Sequence, residues 1–580
     1  MVGGIAGPAA SALIGVKDTA LRFREETSGG RAARRAKARA REAGPNAGRR
    51  RLLTTDTDQS AVVAFLKAGG LLGGDPAGVK EVTTHISHLL LGPSAVLKLK
   101  RAVKRPYVDF STPERRLRAA EREVELNRRT APKLYRGVRR ITRSGAGGLG
   151  LDGEGDLVDV VVEMARFDEE TLFDRMAVAG NLTNDLMETL ARQIAEFHQG
   201  IEAQPRDDGA AHMAGVLDVN EAAIAGGDVF TEEAVEKFNA RFREKHAGLA
   251  DLLDRRGREG MIRRCHGDLH LKNICLFDGE PTLFDCLEFD EELGTTDVLY
   301  DLAFLLMDLW HRDLRGHANL VLNRYLDLTG DEQGLAAVPF FMAVRAAVRA
   351  HVAATAASEA AEGADEKRAE AEGYFRLAAA LLERQPPLFV AVGGLSGSGK
   401  STVARAIAPE IGPAPGARTL SSDRLRKARF GVPAETRLGA EAYGSEVTHA
   451  VYGELSQRSE AVLAVGHAVV ADATFSTEEE RAAIERAAER VGVGFSGYWL
   501  DVPEDELLRR VEARRNDPSD ATADVVRRQL AHDRGRIAWT RIAGAGPVGD
   551  VVGSILADLE ERCGQTSGDA QTPSRHADRL

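Results

Sequence analysis

The chain has 580 residues, of which 43% are hydrophobic, 28% charged and 5% aromatic. This composition is typical of a soluble globular protein, and the length predicts two to four domains because single cores rarely grow beyond about 250–300 residues. No uninterrupted apolar run approaches the roughly 20 residues that cross a membrane, and we see no secretory signal. The net charge of −11 argues against a general nucleic-acid binder.

The N-terminal segment is strongly basic, in contrast with the rest of the chain. Residues 1–51 hold 12 Lys or Arg and 4 Asp or Glu. The Ala-, Gly- and Arg-rich composition predicts a disordered extension over residues 1–54, or a basic helix. A contact with nucleic acid or a membrane surface is the alternative to a dispensable tail, and we favour the tail.

Four cysteines, Cys265, Cys275, Cys286 and Cys563, lack the spacing of a metal site. Three of them lie in or beside predicted core strands, where reduced and buried thiols are usual. We therefore expect reduced cysteines and a cytoplasmic protein.

Two lysines stand out in the first predicted strands. Residues 59–68 have the apolar spacing of a short helix, and two later apolar runs up to Lys100 are broken at Gly92-Pro93, which predicts a hairpin. Because side chains two residues apart share one face of a strand, Lys98 and Lys100 should point the same way.

A helix predicted from about Thr112 to Thr130 offers Glu123 among several acidic residues. The glycine-rich residues 144–156 predict a hairpin tip, and residues 157–167 predict a strand that runs into a connector. Helical patterns fill most of residues 170–255, and helices continue to about residue 382 beyond the motif described next.

The stretch from Arg264 to Asp290 carries the polar residues that a phosphoryl transferase needs. An apolar strand is followed by Asp278-Gly279, which tolerates the positive φ of a tight turn, and by a return strand that delivers Asp285. The order Asp268, Asn273, Asp285 is that of a kinase catalytic loop and its metal-binding aspartate. We predict that Asp268 orients or deprotonates an acceptor hydroxyl, and that Asn273 and Asp285 bind Mg²⁺.

A kinase of this kind needs a strand lysine to hold the phosphates of ATP and a helix glutamate to hold that lysine. We predict Lys98 for the first role, with Lys100 as second choice, and Glu123 for the other role. The alternatives for the whole motif are a surface hairpin with acidic ends and a pseudokinase that keeps the motif without turnover.

A second nucleotide site follows Pro386-Pro387, where the composition changes and a helix cannot continue. Residues 389–393 form an apolar strand, and the next residues match G-x-x-x-x-G-K-[ST] in the strand–loop–helix context of a P-loop. The glycines let backbone N–H groups approach phosphate oxygens, and the helix N-terminus favours their negative charge. The predicted nucleotide ligands are Gly394, Gly397, Ser398, Gly399, Lys400, Ser401 and Thr402, and the Ser401 hydroxyl is also a predicted Mg²⁺ ligand.

Later segments add acids and arginines to this site. A strand that ends at Asp472 places an acid where it would steady Mg²⁺. Another strand is followed by Asp423, our candidate to serve the acceptor hydroxyl, for which a helix N-cap is the alternative role. The basic helix from Glu504 to Arg515 predicts a lid, in which Arg510 and Arg514 would bind phosphates.

These motifs resemble known families. HGDLHLKN and the run from Asp297 to Leu306 resemble the aminoglycoside phosphotransferase and choline kinase superfamily. GLSGSGKS and the run from Val470 to Phe475 resemble P-loop kinases of the polynucleotide kinase, gluconate kinase and zeta-toxin type. Their order resembles a family of fused bacterial proteins described as bifunctional aminoglycoside phosphotransferase/ATP-binding proteins. The resemblance implies an α+β kinase-like domain fused to an α/β P-loop domain with a mostly parallel sheet.

We expect the kinase-like domain over residues 55–385, with two lobes that meet at about residue 163. The P-loop domain should follow over residues 386–563, and a disordered tail over residues 564–580.

The combined prediction is an ATP- and Mg²⁺-dependent phosphotransferase with two nucleotide sites, the first acting on a small-molecule hydroxyl group such as that of an amino sugar. Two alternatives remain open at this point. One is a nucleotide-binding regulator in which one site gates the other domain, and the other is a toxin- or nucleic-acid-kinase-like P-loop module. The sequence identifies neither acceptor and leaves the oligomeric state open.

Overall fold

The structure is a computed structural model that describes residues 58–84, 86–105, 108–360, 362–513 and 519–569. Residues 1–54, predicted as an extension, lie outside this described part. The chain divides into two compact units. The first comprises Met1–Arg312 and Phe340–Glu383, and the second comprises Asp313–Pro339 and Arg384–Leu580.

An antiparallel six-stranded sheet forms the N-terminal part of the first unit, in the order β1-β2-β3-β8-β6-β7. The glycine-rich tip that was predicted as a loop contains the short strand β7. Small two-stranded pairs join β4 with β5, β9 with β12 and β10 with β11. The strands are β1 Lys80–Thr83, β2 Ser87–Leu91, β3 Ala95–Lys100, β4 Lys104–Arg105, β5 Val108–Asp109, β6 Tyr135–Arg143, β7 Leu149–Leu151, β8 Asp156–Ala165, β9 Ile262–Arg264, β10 Ile274–Phe277, β11 Glu280–Leu283 and β12 Thr295–Asp297.

Helix α2 (Pro113–Asn127) packs on one face of this sheet and α1 (Ser60–Ala68) on the other, and further helices build the remainder of the first unit. The predicted helix that carries Glu123 is present. Thr112 is its N-cap, and the Thr112 hydroxyl accepts the N–H of Arg115. The buried face of this helix packs on β6 and β8. The helices that precede residue 313 are α1 Ser60–Ala68, α2 Pro113–Asn127, α3 Phe173–Val178, α4 Asn184–Gly200, α5 Gly209–Ala225, α6 Glu232–Arg258, α7 Glu291–Gly294 and α8 Val298–His311.

A parallel five-stranded sheet forms the core of the second unit, in the order β14-β15-β13-β16-β17. Its strands are β13 Phe389–Gly393, β14 Arg418–Ser421, β15 Val469–Asp472, β16 Phe495–Asp501 and β17 Thr540–Ala543. The last helix continues to Asp569, so residues 564–569 are helical where a disordered tail was predicted; an established helix extends with one hydrogen bond for each residue it fixes. The remaining helices are α9 Arg315–Thr329, α10 Val338–Glu359, α11 Ala364–Leu381, α12 Lys400–Ile407, α13 Ser422–Arg429, α14 Ser445–Ala464, α15 Glu478–Val491, α16 Glu504–Ala513, α17 Ala523–Ala531 and α18 Val548–Asp569.

The chain enters the second unit earlier than the predicted boundary at residue 386. Asp313–Pro339, which was assigned to the kinase-like domain, belongs to the second unit, and the chain returns to the first unit until Glu383. The composition change at Pro386-Pro387 lies near the second of the two points at which the chain passes from the first unit to the second unit. The earlier excursion has an ordinary helical pattern, so nothing in its local sequence distinguishes it from the helices on either side.

One helical stretch in the described residues is long and apolar enough to cross a membrane by length and composition, Glu332–Glu359. Of its most apolar window, 89% is buried inside the protein. Packing in the protein core therefore accounts for its composition. Cys265, Cys275 and Cys286 are free and buried, as the sequence predicted.

Candidate active sites

The predicted catalytic hairpin is present and delivers Asp285 in a constrained conformation. β10 and β11 pair antiparallel across a turn in which Asp278 and Gly279 have φ of +51° and +82°. Asp285 also has a positive φ, +58°, which is uncommon for a residue with a side chain. Its N–H donates to the hydroxyl of Tyr135 at 3.2 Å. Strained residues of this kind persist where the surroundings hold them, and they cluster at functional sites.

Lys98 reaches the two carboxylates that the sequence assigned to it and to the metal. Its ammonium lies 2.7 Å from Oε1 of Glu123 and 2.8 Å from Oδ1 of Asp285. Burial would lower the pKa of Lys98, but Asp285, Glu123 and nearby carboxylates raise it well above its usual value. The side chain is therefore a fixed positive charge at the base of the hairpin, where nucleotide phosphates would be held.

Lys100 takes a different place from the one predicted for a phosphate ligand. Its ammonium is fully buried and lies 2.6 Å from Oε2 of Glu123 and 2.7 Å from Oε1 of Glu288. Because both partners are carboxylates and its side chain has no exposed surface, Lys100 supports Glu123 from behind and is not presented to a ligand. Lys98, the first choice, retains 12% of its side-chain exposure.

Asp268 and Asn273 are brought together by the loop between β9 and β10. The amide of Asn273 donates to Oδ2 of Asp268 at 3.0 Å and to its backbone oxygen at 2.9 Å. The other amide atom, Oδ1 of Asn273, is buried and has no hydrogen-bond partner among the described residues. A buried oxygen without a donor fits a cation ligand, so Asn273 and Asp285 suit Mg²⁺, which prefers oxygen ligands.

The loop is anchored from below by a carboxylate to which the sequence assigned no role. Asp301 on α8 accepts the N–H of Gly267 at 2.7 Å and of His266 at 3.2 Å. The ring of His198 on α4 donates to the same carboxylate at 3.1 Å. Burial would raise the pKa of Asp301, but these partners and Arg345 lower it to about 2. In the sequence, the only local sign of this anchor is the pair Asp297 and Asp301, four residues apart.

His266 is held in one tautomer by the hairpin. Its Nε2–H donates to the carbonyl oxygen of Phe284 at 3.0 Å, immediately before Asp285. Burial lowers the pKa of His266 to about 4, so the ring is neutral at neutral pH. His266 therefore links the loop that carries Asp268 to the residue that would bind the metal.

The second unit contains the predicted P-loop between β13 and α12. Gly397 has φ of +93°, and a Cβ there would lie 2.7 Å from the carbonyl oxygen of Leu507. Gly399 caps α12 with φ of +87°, and Lys400 is the first residue of the helix. Both glycines are needed for the backbone path, and the N-terminal turn of α12 faces the loop as a phosphate site requires.

Six predicted residues of the second site line one pocket, namely Gly399, Lys400, Ser401, Thr402, Asp423 and Asp472. Burial raises the pKa of Asp472, while Lys400 and a hydrogen bond from Ser401 oppose the rise. Oδ1 of Asp472 is buried and without a hydrogen-bond partner in the described part of the chain, which fits a Mg²⁺ ligand beside the Ser401 hydroxyl. Asp423 lies in the first turn of α13, and the N-cap of that helix is Ser421, so the alternative role of Asp423 as N-cap does not hold.

A second pocket lies on the other side of the P-loop. It is lined by Gly397, Gly399 and Thr402 together with Arg510 and Gly544. The Arg510 guanidinium donates to the carbonyl oxygens of Gly544 at 3.0 Å and Ala545 at 3.3 Å. Arg510 thus holds the loop after β17 against the P-loop, and its guanidinium also donates to the carbonyl oxygen of Ser398 at 3.4 Å. Its role as a phosphate ligand stays a prediction. Arg514 lies outside the described residues.

The pocket around Asp423 also contains residues from the early excursion of the chain. Asn319, Asn323 and Arg324 of α9 line it together with Lys400. The sequence prediction missed all three because they precede the P-loop by about 75 residues and follow an ordinary helical pattern.

Comparisons with known proteins assign a family model to each of the two parts of the chain. The family model described as "Phosphotransferase enzyme family" matches residues 43–341, slightly more than half of the chain, and the model described as "AAA domain" matches residues 389–534. The chain is 30% identical to "Uncharacterized protein Rv2004c" of Mycobacterium tuberculosis (strain ATCC 25618 / H37Rv) over 473 residues, which cover 80% of this chain and 92% of the relative.

Two solved structures are similar to parts of the chain. A choline/ethanolamine kinase family protein from Mesorhizobium loti is 14% identical with a TM-score of 0.36, covering 56% of this chain and 94% of that one. A gluconokinase from Sinorhizobium meliloti 1021 is 24% identical with a TM-score of 0.24, covering 33% of this chain and 100% of that one.

Proposed function

The chain belongs to the phosphotransferase enzyme family, and we propose that it transfers the γ-phosphoryl group of ATP to hydroxyl acceptors at two separate sites. The observation that carries this proposal is the convergence in the first unit. Lys98 lies 2.8 Å from Asp285, and Asn273, whose Oδ1 is unpartnered among the described side chains, lies 3.0 Å from Asp268. A cation for phosphates, oxygen ligands for a metal and a carboxylate base are thereby assembled in one place.

In the first site, each residue has a distinct role in this proposal. Lys98 binds nucleotide phosphates, and Glu123 fixes its position. Asn273 and Asp285 hold Mg²⁺, which would neutralise charge on the phosphoryl oxygens. Asp268 orients the acceptor hydroxyl and accepts its proton as the new oxygen–phosphorus bond forms and ADP leaves.

The acceptor of the first site should carry an acidic or neutral group. A cavity beside His270, which lies 3.5 Å from Asp268, is lined by Lys272, Arg312 and Arg349. Lys272 makes no hydrogen bond or ion pair among the described residues, and burial lowers its pKa, with Arg349 contributing. The carboxylates of Asp308 and Glu370 offset only part of this charge. Because Arg312 and Arg349 are paired with Asp308 and Glu370, Lys272 is the cation of this lining beyond its ion pairs, and it favours an acidic or neutral group on the acceptor.

The second site uses the P-loop for the same chemistry in this proposal. Lys400 and the backbone around Gly397 hold phosphates, Ser401 and Asp472 hold Mg²⁺, and Asp423 serves the acceptor hydroxyl. Lysine, hydroxyl and two carboxylates in one pocket support a transferase more than a site that only senses nucleotide.

The test is ADP release by wild-type protein, Asp268→Asn and Lys400→Ala with a panel of hydroxyl compounds. The panel contains amino sugars, polyols, hydroxy acids and an oligonucleotide with a free 5′-hydroxyl. We expect the two variants to lose turnover with different acceptors. Asp278→Asn, in the tip of the catalytic hairpin, is the matched control and should behave as wild type. If Asp268→Asn changes nothing with any acceptor while Lys400→Ala ends all turnover, the first unit is a binding or regulatory module.

A further inference from the structure

Helix α9 is built into the edge of the P-loop sheet. β14 is an edge strand of this sheet. Two asparagines one turn apart on α9 form hydrogen bonds with backbone groups of β14 and of the residue before it. Asn323 accepts the N–H of Thr419 at 2.7 Å through its Oδ1, and Asn319 donates to the carbonyl oxygen of Ala417 at 2.9 Å. Both asparagines are buried, so these bonds fix the position of α9 relative to β14 and the residues that follow it.

Asp327, one turn further along α9, organises the arginines around it. It pairs with Arg324 on its own helix, with Arg418 at 2.8 Å and with Arg424 at 3.5 Å. Arg418 has no exposed surface and serves the packing of α9 on β14. Arg324 and Arg424 instead line the pocket that contains Asp423 and Lys400. Their guanidinium groups are therefore oriented by a shared carboxylate at the rim of the site.

The lining of this pocket contains more cationic side chains than are assigned to binding ATP in the proposed function. Lys400 belongs to the nucleotide, and Asp472 to its metal, in the proposed function. Three arginines remain on the lining beside Asp423, namely Arg324, Arg405 and Arg424. Arg405 is exposed and forms no hydrogen bond or ion pair within the described ranges. Arginine forks match the paired oxygens of a carboxylate, phosphate or sulfate group.

We propose that the second site phosphorylates a small hydroxyl compound bearing an anionic group, and that Arg324, supplied by α9 from a segment that precedes the P-loop strand, binds that group. The inference rests on the proposed function of the second site. In the transfer, the acceptor oxygen bonds to the γ-phosphorus, the bond from that phosphorus to the bridging oxygen of ADP breaks, and Asp423 accepts the hydroxyl proton. The anionic group places the acceptor, so Arg324 acts on its binding and on specificity.

The experiment uses the full chain in an Asp268→Asn background, so that turnover reports the second site. ADP release is measured with matched pairs that differ in the anionic group: gluconate and sorbitol, glycerate and glycerol, glucose 6-phosphate and glucose. We expect the acid of at least one pair to be preferred. Arg324→Ala should raise KM for that acid at least tenfold, because a charge-assisted pair is lost, with kcat and KM for ATP within about threefold of the parent.

Arg315→Ala is the matched control because it removes the same charge from the same helix, and Arg315 does not line the pocket. It should leave the preference unchanged. Equal use of both members of every pair, with no effect of Arg324→Ala on their ratio, would overturn the inference while leaving phosphoryl transfer intact. A fall in kcat with unchanged KM would also overturn it, since Arg324 would then act on the transferring phosphoryl group. Turnover that survives Lys400→Ala would instead refute the proposed function of the second site.

A binding measurement does not depend on finding the acceptor. Inorganic sulfate is titrated by calorimetry into protein saturated with a non-hydrolysable ATP analogue, so that the γ-phosphate position is filled. We expect a sulfate site that weakens at least tenfold in Arg324→Ala and stays unchanged in Arg315→Ala. Absence of any sulfate binding that depends on Arg324 would overturn the inference.

Discussion

Asp301→Asn should release the catalytic loop of the first unit from its anchor on α8, although Asp301 itself is not a proposed ligand of nucleotide, metal or acceptor. The carboxylate is fully buried and accepts two backbone N–H groups from the loop and one ring N–H from His198. Its pKa is lowered from 3.8 to about 2, which corresponds to about 2.5 kcal/mol of stability at neutral pH. The asparagine also turns an N–H₂ group toward one of these donors. We therefore expect a total loss of about 3–5 kcal/mol in the free energy of unfolding of the first unit.

The pH dependence follows from the direction of the shift. Because the folded-state pKa of Asp301 is depressed, its contribution is complete above about pH 4 and is lost as the pH falls from 3.8 toward 2. The difference between wild type and Asp301→Asn should consequently be the same at pH 7 and at pH 5. Asp301 is a positioning residue, so turnover that depends on Asp268 should fall by about 10²-fold while KM for ATP stays near wild type.

Urea unfolding can be followed for the first unit alone. In a Trp499→Phe/Trp539→Phe background, Trp310 on α8 is the remaining tryptophan and lies in the first unit. A destabilisation below about 1 kcal/mol at pH 7 would refute the anchoring role. So would an equal loss of the turnover that depends on Lys400, because Asp301 should not affect the second site.

Three further predictions test other parts of the structure. Gly397→Ala places a Cβ 2.7 Å from the Leu507 carbonyl oxygen at φ of +93°, so fluorescent nucleotide should no longer bind the second site while the first site still binds it. Burial lowers the pKa of His467 to about 4, so the unfolded chain binds the proton first and stability should fall as the pH drops from 6.5 to 4, by up to about 1.4 kcal/mol per pH unit. His467→Gln should remove that slope in urea unfolding followed by the tryptophans of the second unit. Lys272→Met should raise KM at least tenfold for an acidic acceptor of the first site, and unchanged KM in steady-state assays would contradict the cationic cavity.

Local motifs made much of both sites predictable. The spacing of Asp268, Asn273 and Asp285 and the turn at Asp278-Gly279 are properties of one continuous stretch, and the P-loop is another. Lys98 and Glu123 could be proposed because a strand face and a helix turn present them in a known order. The sequence favoured Lys98 over Lys100 but gave no sign that the Lys100 ammonium is enclosed, since both lysines share one strand face and the enclosure depends on the packing of Glu288.

Residues that act across long sequence separations were not predictable in the same way. Asp301 anchors the loop through backbone N–H groups, which carry no sequence signal of their own. Arg510 was predicted as a lid residue from a charged helix face, but the carbonyls that hold it belong to the loop after β17. In each case the deciding partner is a backbone group in another part of the chain. Side-chain patterns do not reveal such partners.

The position of α9 shows why the composition change at Pro386-Pro387 does not separate the two units of this protein, since α9 precedes that point but belongs to the second unit. Arg418 opens β14 with its guanidinium fully buried, and its acidic partners, Asp327 and Glu332, both precede that point. A buried guanidinium without carboxylates costs several kcal/mol, so the sheet that carries Asp423 requires a segment encoded within the kinase-like half. The same segment supplies Arg324 to the pocket. The packing of β14 and the lining of this pocket in the second unit therefore depend on the same segment.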